Sequence, residues 1–290
     1  MFYDKAYFFL VRETIRLAIQ EDLGYVDITS LLIIPDKSKG KAHLISKENL
    51  VLAGMPFVQE VFSAIDSAVE VKNFFAEGST LKRGDIIAEI QGRTKSLLAG
   101  ERLALNMLQH VSGVATNAKA FVERVKDLPV RIVDTRKTLP GLRFMEKYGV
   151  RTGGGSNHRA GLYDGILIKD NHVKIAGSVG KAVDLARTKA PHLLRIEVEV
   201  RDLDELKEAL DAGAEVIMLD NMSLSDMTEA VNIVRSLKGA AVSPLLEASG
   251  NVNLENVRAI AETGVDMISV GALTHSARAV DISMKIAEEL

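Results

Sequence analysis

From residue 130 onward the chain repeats one pattern, a short apolar run followed by an amphipathic segment. The runs are VRIVD (130–134), DGILIK (164–169), LRIEVEV (194–200), EVIMLD (215–220), PLLEAS (244–249) and DMISVG (266–271). Between them SVGKAVDLARTKA, DLDELKEALDAG, SDMTEAVNIVRSL and NLENVRAIAETG space their apolar residues as helices do. Strand then helix, repeated, builds parallel β/α units, and runs that are apolar throughout suit strands covered on both faces. DAGAEVIMLDN and ETGVDMISVGA share a helix-ending glycine, an acid and a buried strand, as units of one barrel do. An open doubly wound sheet shares the alternation and is the weaker alternative. Four of the six runs carry at or near their ends a residue with reactive chemistry, Asp134, Lys169, Asp220 and Glu247, and the C-terminal ends of barrel strands are where active sites gather.

Upstream the rhythm differs. KAHLISKENLVLAG, VEVKNFF and DIIAEIQG read as strands of a small sheet, separated by turns at EGST and KRGD. An amphipathic helix precedes them, and residues 96–125 form one or two helices that lead into the barrel. The chain has 290 residues, so one large domain or two smaller ones can be formed. Its formal net charge of -3 gives no general attraction to nucleic acid or anionic membrane, so any basic site is local. With no cysteine, disulfides, thiolate metal sites and a cysteine nucleophile are excluded. No apolar run approaches the ~18 residues that span a bilayer, and a cytoplasmic location is expected.

The chemistry concentrates in four segments. DTRKTLPG sets Arg136 and Lys137 directly after a strand. Gly153, Gly154 and Gly155 allow backbone N–H groups to approach an anion, and His158 and Arg159 follow at once. Lys169 ends an apolar strand, where a cation facing only core would be costly, so it faces a polar cavity or pairs with an acid. Its candidate partners are Glu197 or Glu199, which share one face of their strand, and Asp220. EASGNV and SVGALTHSA place glycine with Ser or His after the last two strands, where barrels bind phosphate. His43, His110 and His192 read as structural. A cluster of Arg136, Lys137, His158, Arg159 and Lys169 facing Glu199 and Asp220 calls for a strongly anionic substrate, with the acids holding a ribose or a divalent cation.

DTRKTLPGLRFMEKYGVRTGGGSNHR, LIKDNH, IEVEV, IMLDN, EASGN and ISVGALTHS, in that order, closely resemble the quinolinate phosphoribosyltransferase family. The resemblance extends to GERLALNMLQHVSGVAT and to DITS at 27–30. It implies an N-terminal α/β sandwich over residues 1–112, an incomplete β/α barrel over 113–276, and a last helix, 277–290, packed on the sandwich. It further implies a homodimer or higher homo-oligomer in which Arg102 reaches the neighbouring subunit's site, and Mg²⁺ as cofactor. By motif, Arg102, Arg136, His158, Arg159 and Lys169 surround quinolinate, and Lys137 lies near phosphoribosyl pyrophosphate. Glu199 and Asp220 hold the ribose hydroxyls and Mg²⁺, while Ser249, Gly250, Gly271 and His275 take the 5′-phosphate. Leu139 and Gly149 stand where Thr and Ala are expected, and Val26 where Gly is usual.

The implied reaction joins quinolinate to the sugar and releases pyrophosphate and CO₂, mainly by electrostatics and positioning and with no covalent enzyme intermediate. Rivals are a Schiff-base aldolase using Lys169, a barrel that only binds an anionic metabolite, a molybdenum-associated paralogue, and an enzyme acting on nicotinate.

Overall fold

The computed structural model describes residues 2–237 and 243–289. The chain divides into two compact units, one of 1–119, 138–154 and 273–290, the other of 120–137 and 155–272. The junction expected at 112/113 falls inside a helix.

The first unit begins with α1 (Phe2–Asp22) and α2 (Ile28–Ile33). Asp27 of the DITS segment is the N-cap of α2, accepting from Ser30 N at 3.1 Å, which satisfies a donor that a helix start leaves open. Next come β1 (Lys39–Ser46), β2 (Leu50–Val51), α3 (Met55–Ile65), β3 (Glu70–Asn73), β4 (Thr80–Leu81) and β5 (Ile86–Arg93). β1 alternates buried Gly40, Ala42, Leu44 and Ser46 with less buried residues, as a sheet covered on one face requires. Helix α3, whose Phe57, Val58, Val61 and Phe62 are core residues, is not among the elements expected from sequence. Residues 96–125 form a single helix, α4 (Thr94–Arg124).

Helix α5 (Arg143–Thr152) lies against α4 at backbone distance. A Cβ at Gly149 would sit 2.9 Å from the Val111 carbonyl oxygen, and one at Gly153 2.3 Å from that of Ala115. This gives Gly149, the departure from an expected Ala, a packing role. It also corrects the reading of the triple glycine as an anion cradle. The Gly153 and Gly154 N–H groups are used in ending α5, donating to the Gly149 and Arg151 carbonyls at 2.9 Å each.

The second unit contains the six strands anticipated, as β6 (Arg131–Val133), β7 (Ile166–Ile168), β8 (Ile196–Val200), β9 (Val216–Asp220), β10 (Leu245–Ser249) and β11 (Met267–Ser269). Among the described residues they form one parallel sheet in the order β6-β11-β10-β9-β8-β7, with β6 and β7 as its edges. The connecting helices are α6 (Asp170–Ala176), α7 (Val179–Lys189), α8 (Leu203–Asp211), α9 (Leu224–Ser236) and α10 (Val257–Glu262), while α11 (Ala272–His275), after β11, falls from residue 273 onward in the first unit. On β8, Ile196, Val198 and Val200 are buried on one face, which leaves Glu197 and Glu199 together on the other. The structure is thus an incomplete β/α barrel with an N-terminal α/β unit. No helix among the described residues is long and apolar enough to cross a membrane.

The expected last helix over 277–290 is instead strand β12 (Ile282–Glu289), hydrogen-bonded along β1 in a sheet of order β12-β1-β5-β3. Lys, Ala and Glu give ISMKIAEE a helical composition, but Ile282 and Met284 alternate onto the core and the β1 edge supplies a ladder. The segment leading into this strand crosses α4 at Gly113, where a Cβ would lie 2.1 Å from the Arg278 carbonyl oxygen. Gly113→Ala is therefore expected to destabilise the protein by about 1–3 kcal/mol, because the clash is with backbone rather than a movable side chain. Thermal unfolding measures this, and an unchanged melting temperature would contradict the close crossing.

Candidate active site

Site residues converge at the C-terminal ends of the second unit's strands, where β/α loops leave the sheet. The loop after β6 begins with Asp134, whose side chain is fully buried. Its carboxylate accepts from Asn157 Nδ2 at 2.6 Å and from the His158 N–H at 2.8 Å. The preceding residue, Ser156, runs parallel to Val133, donating to the Ile132 carbonyl at 2.8 Å and accepting from Asp134 N at 3.1 Å. Residues 156–158 are thereby held on the free edge of β6, and His158 and Arg159 are brought to the strand ends. In sequence Asp134 reads as a reactive strand terminus; its work as a latch has no local signal.

Arg159 donates from Nη1 to the Gly165 carbonyl at 2.8 Å, while its buried Nε has no hydrogen-bond partner among the described residues. Burial pushes its pKa down, and the nearby Arg136 pushes it further. A guanidinium whose charge is disfavoured by burial and by a neighbouring cation makes a place for an anion. Lys137 is exposed on the same loop as Arg136, its N–H donating to Thr135 Oγ1 at 3.0 Å.

Lys169 follows β7 and caps α6, with His172 Nδ1 accepting from the Lys169 N–H at 2.9 Å. Its ammonium is ion-paired with Glu199, one of the partners anticipated. Lys169 is thus engaged as a donor, which suits charge stabilisation and not the free amine a Schiff base needs. Asp220 ends β9 half-buried, its Oδ1 accepting from Asn221 Nδ2 at 3.1 Å. Asn221 also accepts from Asn251 Nδ2 at 3.1 Å, and a Cβ at Gly250 would strike the Asn221 amide oxygen at 2.1 Å. Ser249 and Gly250 close β10 beside this asparagine, and Gly271 follows β11. Of the remaining expected residues, Arg102 and His275 belong to the first unit, where both are exposed; His275 Nδ1 lies 2.6 Å from Ser276 Oγ. His110, read from sequence as structural, has Nε2 2.9 Å from the buried Glu146 Oε1.

Glu247, marked in the sequence only as a strand end, proves to be a deeply buried carboxyl on β10, 1% exposed. Its pKa is pushed up to about 7, first by burial and then by Glu197.

Residues 27–112 match the family described as quinolinate phosphoribosyl transferase, N-terminal domain, and residues 114–285 match the corresponding C-terminal domain. The chain belongs to the quinolinate phosphoribosyltransferase family. Among this family's curated members, the probable carboxylating nicotinate-nucleotide pyrophosphorylase of Synechocystis sp. is 44% identical over 270 residues, covering 92% of this chain and 90% of that one. The Bacillus subtilis protein of the same description is 44% identical over 266 residues, with the same coverage. In fold, the nicotinate-nucleotide pyrophosphorylase from Francisella tularensis superposes with a TM-score of 0.90 at 38% identity, covering 96% of each chain. That from Ehrlichia chaffeensis gives 0.88 at 38% identity over 95% of this chain and 98% of the other.

A carboxyl whose pKa is raised on folding stabilises the folded state fully below its ordinary value near 4.5 and loses that contribution as pH rises through about 7. Glu247→Gln removes the titration, so the variant should gain on the native protein between pH 5 and pH 8. Urea unfolding at the two pH values tests this; a stability difference that does not change with pH would contradict the buried, raised carboxyl.

Proposed function

We propose that this protein transfers the phosphoribosyl group of phosphoribosyl pyrophosphate to quinolinate, releasing pyrophosphate and CO₂ and giving nicotinate mononucleotide for NAD biosynthesis. The observation that carries this reading is Arg159, whose charge is disfavoured by burial and by the nearby Arg136 and whose buried Nε has no hydrogen-bond partner among the described residues. A carboxylate brought to it relieves both. Arg136 and Arg159 hold the two carboxylates, with Lys169 alongside, kept in place by Glu199.

In the transfer, quinolinate's ring nitrogen forms a bond to C1 of the ribose as the bond from C1 to the pyrophosphate oxygen breaks. The pyrophosphate leaves with that electron pair, and Lys137 on the exposed loop neutralises part of its charge. Glu199 and Asp220 face the positive charge that develops at the sugar. The carboxylate next to the ring nitrogen then departs as CO₂, leaving its electron pair on the ring carbon, which Lys169 or an arginine stabilises until a proton replaces it. No covalent enzyme intermediate is involved, and catalysis rests on position and electrostatics. The 5′-phosphate is taken by Ser249, Gly250 and Gly271.

The acids suit Mg²⁺ in a particular way. Among the described residues Glu199 and Asp220 are not part of a preformed set of three ligands, and Asp220 is half-exposed. That fits an ion held by one or two carboxylates with substrate oxygens and water completing its shell. When bound with phosphoribosyl pyrophosphate, Mg²⁺ supplies charge neutralisation at the leaving group.

The working form is a homodimer or larger, in the cytoplasm, with Arg102 completing a neighbour's site. Supporting this, Arg102 is exposed on α4, and Tyr25, Ile28, Leu31, Leu32 and Ile33 leave an unusually apolar surface around α2.

With phosphoribosyl pyrophosphate and Mg²⁺ present, quinolinate should yield pyrophosphate and CO₂ in equal amounts. Nicotinate lacks one charge-assisted contact, and its kcat/KM should be lower by about 10–100-fold. Equal use of nicotinate, or pyrophosphate without CO₂, would overturn the assignment. A mixture of Arg102→Ala and Lys137→Ala chains should recover about a quarter of native activity, since half the dimers are mixed and each has one intact site. No recovery in verified heterodimers would exclude a shared site.

A further inference from the structure

Beneath the cations lie three side chains to which the proposed reaction gives no role, namely His158, Glu197 from β8 and Glu247 from β10. His158 Nδ1 accepts from the backbone N–H of Arg159 at 2.8 Å. A ring nitrogen that accepts an N–H carries no proton, so the proton of a neutral imidazole is on Nε2. That nitrogen lies 3.1 Å from Glu197 Oε2 and 3.7 Å from Glu247 Oε2. Both ring nitrogens are thus turned to protein partners. In the sheet order β9 separates the two strands that supply the carboxyls, so the ring ties together strands that are not neighbours.

The other oxygens, Glu197 Oε1 and Glu247 Oε1, are buried with no hydrogen-bond partner among the described residues. Keeping two such groups in a β/α interior is costly for folding, and apolar residues would fill the space without that cost. The ligand atoms of the three side chains lie within 4.8 Å of one another, close enough for a metal ion. A cation on Nε2 would, however, move the ring proton to Nδ1, directly against the Arg159 N–H. The hydrogen bond at Nδ1 therefore favours a proton over a metal at this place.

We propose that Glu197 and Glu247 are positioning residues that clamp His158, and that His158 serves as a strut fixing the backbone of Arg159 instead of touching quinolinate. This rests on the reading of Arg159 as a quinolinate-binding residue. The strut sets where the Arg159 backbone sits, and the Gly165 carbonyl then fixes its guanidinium. The residue expected to be a substrate contact thereby acts one step removed.

The test combines ¹⁵N-histidine NMR of the native protein with kinetics of Glu197→Ala and Glu197→Gln. The His158 ring is expected in the Nε2–H form, with Nδ1 as a hydrogen-bonded acceptor, and to stay so when quinolinate is added. Glu197→Ala should raise the KM for quinolinate about tenfold, the scale of one lost hydrogen bond to a charged group, while the KM for phosphoribosyl pyrophosphate holds. Glu197→Gln keeps an acceptor oxygen and should restore most of the loss.

An Nδ1–H ring, or a ring that becomes imidazolium on adding quinolinate, would overturn the strut, as would an unchanged KM in Glu197→Ala. So would Zn²⁺ or Mn²⁺, added alone, binding with perturbation of the His158 signals. Should the native protein prove not to use quinolinate, the assignment of Arg159 fails instead, and the ring's form in the free protein still decides whether the clamp exists.

Discussion

The buried carboxylate of Asp134 is the interaction on which the site depends. A parallel sheet that stops at six strands leaves two edges, and the edge at β6 has backbone groups to satisfy. Ser156 satisfies part of that edge by pairing with the Ile132 carbonyl and the Asp134 N–H, but a short parallel bridge has little strength of its own. Asp134 adds two charge-assisted hydrogen bonds, to Asn157 and to the His158 backbone. They fix the loop at the residue before Arg159. Without that anchor, the loop's basic residues would have no defined place over the strand ends.

The anchored loop completes an arrangement of charge with two levels. Glu197, Glu199 and Glu247 lie within strands, whereas Arg136, Lys137, Arg159 and Lys169 follow strand ends or sit in the loops beyond them. The levels are joined where Lys169 pairs with Glu199. Elsewhere the cations gain less: Arg159 is pushed down by burial and by Arg136 more than the acids below push it up. In the proposed reaction an anion entering from the loop side meets donors already oriented, and the positive charge developing nearer the strands meets carboxylates. Pre-organised charge of this kind stabilises a transition state without reorganising during the reaction.

Much of this is legible in the sequence because its signals are local. Each of the six apolar runs is a strand, and the alternation along IEVEV is enough to put Glu197 and Glu199 on one face and to name Glu199 as a partner for Lys169. What stays hidden depends on long-range contact. Gly153 reads as a flexible loop residue but serves close packing against Ala115, and ISMKIAEE reads as a helix but finds a partner in β1. Helix α3 is masked by strand-like neighbours. Glu247 looks in sequence like one more acid at a strand end, and only its burial beside Glu197 and His158 sets it apart.

The most direct measurement of the latch is the affinity of Asp134→Asn for quinolinate, by calorimetry, beside its circular dichroism. Whichever way the new amide turns, its NH₂ group faces either the Asn157 amide or the His158 N–H, so one of the two anchoring bonds is lost. Asp134→Asn is expected to fold and to lose affinity at least about tenfold, for the loss of one hydrogen bond to a charged group. Native affinity in a folded Asp134→Asn variant would contradict the latch.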